Sequence, residues 1–408
     1  MNTKKADIKR NNIISILDII RQPGTHSRRE IQKITGLSWG AVSTITSLLL
    51  EQNLIIETGE ADTAFGRKPS EIDINPHIHY VIGIDLNILG LTVVVSDIKG
   101  GIKSEITRLL PHADRDYILD ELLKILDIDV FEKFRDRQLI AIGIAAQGLV
   151  DTQAGISVFS PYFKNWKNVE ICKLIEERYA LPAYIFHDPD CVLLTERLLS
   201  GYSSKNPVLI RMNNGIGMSA VVNGEPFSTA EGHSPELGHV TAEADGPLCG
   251  CGKKGCFEAF ISNTGIVQRF FEQVNQGWET AINLSNPGTI TYQTIYEAAK
   301  SGDALSMQIY KTTGFYIGMA IACVINMYGP DEIILYGNIP KMHDIYEEEM
   351  QRTIESNVFY AQRIPPIRFS VLDKNAAALG GGLSAFSKHI KNNTDFFHKT
   401  GMLKEGYG

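Results

Sequence analysis

Glu236-Leu237-Gly238-His239, followed ten positions past the histidine by Cys249-Gly250-Cys251-Gly252-Lys253-Lys254-Gly255-Cys256-Phe257-Glu258, is the stretch on which the reading of this chain turns. Three thiolates and one imidazole complete a tetrahedral Zn²⁺ shell, so His239, Cys249, Cys251 and Cys256 are the expected metal ligands. Soft sulfur ligands select zinc over magnesium or calcium. Four protein ligands leave no position for water, and three thiolates make the ion a poor Lewis acid, so its expected role is structural. The glycines between the cysteines let the backbone fold tightly around the ion. The alternative is a set of free buried thiols with His239 a core histidine. The compact spacing speaks against it.

The chain has 408 residues, enough for two or three domains with full cores, and its hydrophobic content of 44% is ordinary for a globular protein. It holds no apolar run of about eighteen residues, which argues against membrane insertion. Met1 to Arg10 is polar and basic and lacks the apolar core of a signal peptide, so a cytoplasmic location is expected. In a reducing compartment a cysteine cluster reads as metal binding before disulfide. Residues 1–76 hold ten Lys+Arg against nine Asp+Glu, a net of +1, which leaves −9 on the rest of a chain whose net charge is −8. An anionic partner should therefore prefer the N-terminal segment.

That segment has its own plan. Ile13, Ile14, Ile16, Leu17 and Ile20 lie at helical spacing from Asn11 to Arg21, and Pro23-Gly24 ends the helix. Thr25-His26-Ser27 offers a cap for a second helix, Arg28 to Ile34. Thr35-Gly36-Leu37 is a tight turn, and Ser38 caps a third helix closed by Asn53. Leu54 to Glu57 and Glu71 to Ile74 read as strands flanking a polar loop. Three helices and a hairpin make a winged helix-turn-helix over residues 1–76, with Pro76 the expected boundary. Small residues at Gly40, Ala41 and Ser43 suit a helix seated in a major groove. The expected DNA contacts are Arg28, Ser38, Trp39, Ala41, Ser43 and Thr44, with Arg67 of Gly66-Arg67-Lys68-Pro69 laid into a minor groove. A three-helix interaction module that never touches DNA remains open, because the segment's charge is close to neutral.

From Tyr80 onward the pattern alternates. Strand-like runs at Tyr80–Ile84, Leu91–Ser96, Ile140–Ala145, Pro182–Phe186, Val208–Met212, Ser219–Val222 and Glu332–Tyr336 are separated by helical stretches, including Tyr117–Leu126, Val169–Arg178 and Thr291–Gly329. This is α/β alternation. An Ala/Gly-rich helix is expected at residues 376–389, and the tail after Lys391 is polar.

Residues 236–258 resemble the signature of the ROK family (repressors, open reading frames and kinases), Glu-x-Gly-His followed by Cys-x-Cys-Gly-x-x-Gly-Cys-x-Glu, position by position. Gly143-Ile144-Ala145 with Gly148-Leu149-Val150-Asp151, and Asn375-Ala376-Ala377-Ala378-Leu379-Gly380, are similar to further family segments. The winged helix and Gly-Arg-Lys-Pro resemble the repressor branch. The resemblance implies an α/β two-lobed, actin-like (ribonuclease H-like) ROK domain. The expected domains are 1–76, a first lobe at 77–200 with the C-terminal helix 376–390, and a second lobe at 201–375 with the zinc site. It also implies a sugar held by Asp188, Glu236, His239 and Glu258, by carboxylate hydrogen bonds to vicinal hydroxyls. His187 and Tyr162 stand where the family has sugar-facing asparagines; Tyr162 or Trp166 can either stack on a sugar or pack in the core.

The kinase branch carries a first phosphate loop, Asp-x-Gly-Gly-Thr. Here it reads Asp85-Leu86-Asn87-Ile88-Leu89, without glycines or hydroxyl. A second loop keeps Gly215 and Gly217, and the adenosine-side Gly-Gly is Gly337-Asn338. The expectation is therefore no enzyme and no ATP, with Asp188 catalytic only in a kinase. The function expected is a transcriptional repressor of sugar-metabolism genes, a homodimer or dimer of dimers on operator DNA with a sugar effector. The alternatives are a ROK kinase that phosphorylates a hexose with ATP, and a scaffold that binds neither DNA nor sugar. Control by a protein partner is a variant of the first reading.

Overall fold

The computed structural model describes residues 2–60, 70–88, 90–199, 204–229, 233–360 and 363–392. The chain divides into two compact units, residues 1–202 with 374–408, and residues 203–373.

The first unit opens with α1 (Asn2–Ile20), which begins nine residues before the expected Asn11. Its apolar periodicity starts only at Ile13, but Lys4, Lys5, Ala6, Lys9 and Arg10 are good helix formers and extend it. After Gly24 (φ +90°) a short strand β1 (His26–Ser27) leads into α2 (Arg28–Thr35). A capping box starts α2: the Ser27 hydroxyl accepts from the Glu30 amide, and the Glu30 carboxylate accepts from the Ser27 amide at 2.7 Å. Gly36, at φ 69°, makes the left-handed turn, and the Ser38 hydroxyl caps α3 (Trp39–Glu51) by accepting from the Ala41 amide. β2 (Ile55–Glu60) and β3 (Ser70–Ile74) pair antiparallel, with β1 on the other edge of β3.

The larger sheet of this unit follows. β4 (His79–Asn87), β5 (Gly90–Asp97) and β6 (Ile102–Leu109) form an antiparallel meander. α4 (Arg115–Lys124) runs directly into a π-helical segment, Ile125–Phe131. β7 (Gln138–Ala146) pairs parallel with β4. The short strands β8 (Leu149–Asp151), β9 (Ile156–Phe159) and β10 (Lys167–Val169) make a small antiparallel sheet. After α5 (Ile171–Tyr179), β11 (Ala183–His187) pairs parallel with β7 and passes directly into α6 (Asp188–Leu199). The strand order is β6-β5-β4-β7-β11.

The second unit repeats that order. β12 (Pro207–Met212), β13 (Ile216–Val222) and β14 (Glu225–Pro226) are its meander. α7 (Phe257–Ile261), α8 (Asn263–Asn275), α9 (Tyr292–Lys300) and α10 (Ala304–Tyr328) intervene before β15 (Glu332–Gly337), which pairs parallel with β12. α11 (Glu347–Asn357) and the parallel edge strand β16 (Ile367–Phe369) complete it. An antiparallel meander extended by two parallel strands, twice over, is the ribonuclease H-like arrangement expected from the sequence. The β12 and β13 face packs on Phe257, Phe270, Tyr310, Ile317 and Ile321 in one apolar cluster.

The chain returns to the first unit as a C-terminal helix, Ala376–Asn392. Glycines set how close it lies. A Cβ on Gly83 of β4 would meet the Ala378 carbonyl at 1.7 Å, and one on Gly143 of β7 would meet that of Gly381 at 1.8 Å. The N-terminal helices share this support. Ile13, Leu17, Ile20, Val42, Leu49 and Ile74 belong to one apolar cluster with Val94, Ile98, Leu383 and Phe386, so the core runs on past the turn at Pro76.

Gly83→Ala is expected to lower unfolding stability by about 3 kcal/mol or more, because backbone faces the new methyl and cannot give way as a side chain would. A denaturant midpoint equal to that of the wild type would contradict this packing.

Candidate metal centre

The candidate metal ligands come from two short segments of the second unit. His239 ends a 3₁₀ turn, Leu237–His239, that lies flat against β13; a Cβ on Gly238 would sit 2.3 Å from the Ile216 carbonyl. The cysteines lie in a knuckle closed by backbone hydrogen bonds: the Cys249 amide donates to Lys253 (2.8 Å) and the Gly252 amide to Cys249 (2.9 Å). Gly252 and Gly255 adopt φ values of 87° and 71°, and a Cβ on Gly255 would collide with the Glu243 carbonyl at 1.5 Å.

These segments bring ligand atoms of His239, Cys249, Cys251 and Cys256 within 4.8 Å of one another. Cys249 Sγ lies 3.7 Å from His239 Nδ1, and Cys251 Sγ lies 3.8 Å from Cys256 Sγ. A tetrahedral zinc with ordinary bond lengths places its ligands about 3.6–3.8 Å apart, so donor types and spacing both fit the ion. Burial pushes the Cys249 and Cys256 thiols above their ordinary values. A divalent cation bound here would supply the charge that holds them as thiolates.

Two residues that sequence reasoning did not single out hold the knuckle in place. The Tyr316 hydroxyl, from α10, donates to the Glu243 carboxylate at 2.6 Å, and its ring stacks on Phe260 with centroids 3.6 Å apart. The pair is separated by 73 positions, and no local pattern marks it.

Three of the four expected sugar residues share this framework. Glu258, in the first turn of α7, is buried; it accepts from the Ile216 amide at 3.0 Å, and Cys249 Sγ lies 3.5 Å from its other oxygen. Glu236 is exposed at the start of the 3₁₀ turn that carries His239. Asp188 belongs to the first unit, buried at the junction of β11 and α6. Its neighbour His187 is also buried, with Nε2 3.8 Å from an Asp188 oxygen. Trp166 is a core residue: it is 2% exposed, its Nε1 donates to Ser157 Oγ (2.8 Å), and it packs on Phe163. Tyr162 is half-buried against the same core.

In the N-terminal segment Ser38, Trp39 and Thr44 are exposed along the start of α3, while Ala41 and Ser43 are half-buried. Arg28 has local partners. Its guanidinium pairs with Glu57 at 3.1 Å and donates to Ser70 and Thr46, tying α2 to α3 and to the hairpin. A phosphate at Arg28 would compete with Glu57. Arg67, with the rest of Gly66-Arg67-Lys68-Pro69, lies outside the described residues.

Where a phosphate loop would lie, β4 and β5 form a tight hairpin with Asn87 paired to Gly90. The Asn87 amide group donates to Asp85 at 2.9 Å, and the Ile88 backbone amide donates to the Gln147 side chain. Leu89 lies outside the described residues. In the second unit Asn213 Oδ1 accepts from the Asn338 amide, and Asn214 Oδ1 accepts from Asn263 Nδ2.

Comparison with known proteins places these features in a wider set. A model described as the ROK family matches residues 81–386. The xylose repressor of Bacillus spizizenii is 26% identical over 384 residues, covering 91% of this chain and 94% of that protein. The DNA-binding transcriptional dual regulator NagC of Escherichia coli K12 is 28% identical over 377 residues, 91% of each chain. Among solved structures, a ROK family transcriptional regulator described as a homolog of the E. coli MLC protein aligns with a TM-score of 0.80 at 25% identity, over 97% of this chain and 99% of that one. A ROK family glucokinase from Streptomyces griseus, 21% identical, aligns with a TM-score of 0.65 over 75% of this chain and 99% of its own, which is a likeness of fold.

Elemental analysis is expected to find close to one zinc per chain. Cys251→Ser, at an exposed ligand, should lower that content and reduce Tm by several degrees, as should prolonged chelation. A Tm indifferent to chelation would count against a structural metal.

Proposed function

The chain belongs to the ROK family, and from that membership we propose that it is a DNA-binding transcriptional repressor of sugar-metabolism genes whose operator affinity is set by a sugar. The observation that carries the proposal is the N-terminal one. Two short capped helices are joined through a left-handed Gly36, and the second presents Ser38, Trp39 and Thr44 to solvent beside a hairpin. That is the plan of a winged helix-turn-helix, in which α3 enters the major groove by its N-terminal half. Ser38, Trp39, Ala41, Ser43 and Thr44 read base edges, Arg67 enters the adjacent minor groove, and Arg28 reaches phosphate by exchange with Glu57. The similarity to proteins named as xylose and N-acetylglucosamine repressors supports the same reading.

The effector is a sugar or sugar derivative. Glu236, Glu258 and Asp188 accept hydrogen bonds from its hydroxyls, and the imidazole N–H of His239 donates one. His239 does this while bound to zinc through its other nitrogen, so the metal orients part of the pocket and takes no chemical step. The protein works in the cytoplasm as a homodimer, or a dimer of dimers, that sets two recognition helices on a pseudo-palindromic operator. The sugar shifts the equilibrium by its differential affinity for the operator-bound and free states.

A kinase is disfavoured by the first hairpin. Ile88 puts a branched side chain where the kinase branch has glycine, and its amide, the kind of donor that would cradle a phosphate, is taken by Gln147. Asp188 then has no phosphoryl group to direct.

In a gel-shift assay with the DNA upstream of its own gene, Trp39→Ala and Thr44→Ala are each expected to weaken binding about tenfold or more, with unchanged Tm. One member of a panel of D-xylose, D-glucose and N-acetylglucosamine should shift that affinity. Wild-type protein that fails to bind the DNA would overturn the repressor reading. Sugar-dependent ATP turnover lost in Asp188→Asn would favour the kinase.

A further inference from the structure

Arg21 is a charged residue buried almost completely, 2% exposed, at the end of α1. Its Nε donates to the Ile98 carbonyl at 2.8 Å, and its terminal nitrogens donate to Ser387 Oγ at 2.9 Å and to the Leu383 carbonyl at 3.4 Å. The guanidinium lies over the Phe386 ring, 5.1 Å from its centroid. The nearest carboxylate, Asp18, is 3.6 Å away with its side chain half exposed. The donors of Arg21 are therefore directed at the turn after β5 and at the C-terminal helix. One residue along that turn, Lys99 donates to the Gly24 carbonyl at 2.6 Å and pairs with Asp73.

Stability does not call for an arginine here. Ile13, Leu17, Ile20, Leu383 and Phe386 already make an apolar seam, and an apolar side chain of similar volume would escape the desolvation cost of several kcal/mol that a buried guanidinium carries. An apolar seam tolerates small rotations and slips, whereas three directed hydrogen bonds fix one register. Fixing a register is the best-attested use of such a buried charge.

The C-terminal helix that receives Arg21 is locked at its other end to α6. Thr195 Oγ1 donates to the Ala376 carbonyl at 2.8 Å, and Gly380 lies so close to the Cys191 carbonyl that a Cβ would stand 1.9 Å from it. Such backbone-to-backbone packing leaves little room for the two helices to slide independently. α6 begins at Asp188. We propose that Arg21 is a positioning residue that makes the N-terminal DNA-binding segment follow the Asp188 end of α6, through the C-terminal helix. The inference rests on the reading of Asp188 as an effector ligand and of the N-terminal segment as the DNA reader. It adds the residue by which the two communicate.

The test compares wild type, Arg21→Met and Ser387→Ala as full chains. Operator Kd is measured with and without the panel sugar that shifts the wild type, and sugar Kd and Tm are measured separately. Arg21→Met is expected to keep operator and sugar affinities within about threefold and Tm at or above the wild-type value, while the sugar-induced change in operator Kd falls from about tenfold to below about twofold. Ser387→Ala keeps the arginine but removes one acceptor, and should give an intermediate ratio; it carries the test if Arg21→Met does not fold. A residue that only stabilises would move Tm and leave the ratio alone. A wild-type ratio in Arg21→Met, or in Ser387→Ala where it stands in, overturns the proposal. Should no panel sugar bind the wild type, the effector reading falls before any variant is made, and this inference falls with it.

Discussion

The first unit is organised by how closely its C-terminal helix lies on the sheet. Gly83 and Gly143 face helix carbonyls across distances that admit hydrogen but no methyl, and Gly380 does the same toward α6. Apolar side chains alone would hold the helix further off. Because the contact is backbone to backbone, it leaves no side chain to yield and fixes how closely the helix approaches the sheet. Everything that leans on the helix inherits that constraint. Asp188 does so through α6, and α1 does so through Arg21 and the shared apolar cluster.

The second unit solves a different problem. Its knuckle has few apolar side chains to fold around: Leu248 is exposed, and a small buried cluster there holds only Cys249, Cys256 and Ala259. A metal held by His239 and the three cysteines would supply the missing cohesion by joining a 3₁₀ turn to a glycine-rich loop. The geometry passes outward. Glu258 lies two residues past Cys256 and is fixed by the Ile216 amide, so the cysteine knuckle, strand and carboxylate form one connected group. Tyr316 and Glu243 attach that group to α10.

Much of this was legible in the chain itself, and the reasons are local. Ser27 with Glu30, Gly36, and Ser38 with Ala41 act within a few residues, so the caps and the turn could be read from their spacing. The His–Cys spacing named the four side chains that the fold gathers into one cluster because each lies within eighteen positions of the others, close enough for a short loop to bring them together. The start of α1 was misread because polar helix formers carry no apolar period. The π-helical segment after α4 and the small strands β8 to β10 carried no signal that apolar alternation could detect. Trp166 was ambiguous because an indole suits a sugar face as well as a core, and only Ser157 and Phe163 beside it decide.

The sequence by itself determined what chemistry is available: a histidine and three cysteines at metal-ligand spacing, carboxylates next to them, two capped helices about a glycine turn with a polar leading edge, and a first hairpin without the glycines of a phosphate loop. These are properties of residue type and short spacing. The tertiary structure decided what each group is used for. Arg28, a candidate for phosphate on sequence, is shared among Glu57, Ser70 and Thr46. Arg21, an ordinary helix-end arginine on sequence, is buried and bound to residues 77, 362 and 366 positions away. Partners so distant are set by how whole elements pack, and no local pattern encodes that.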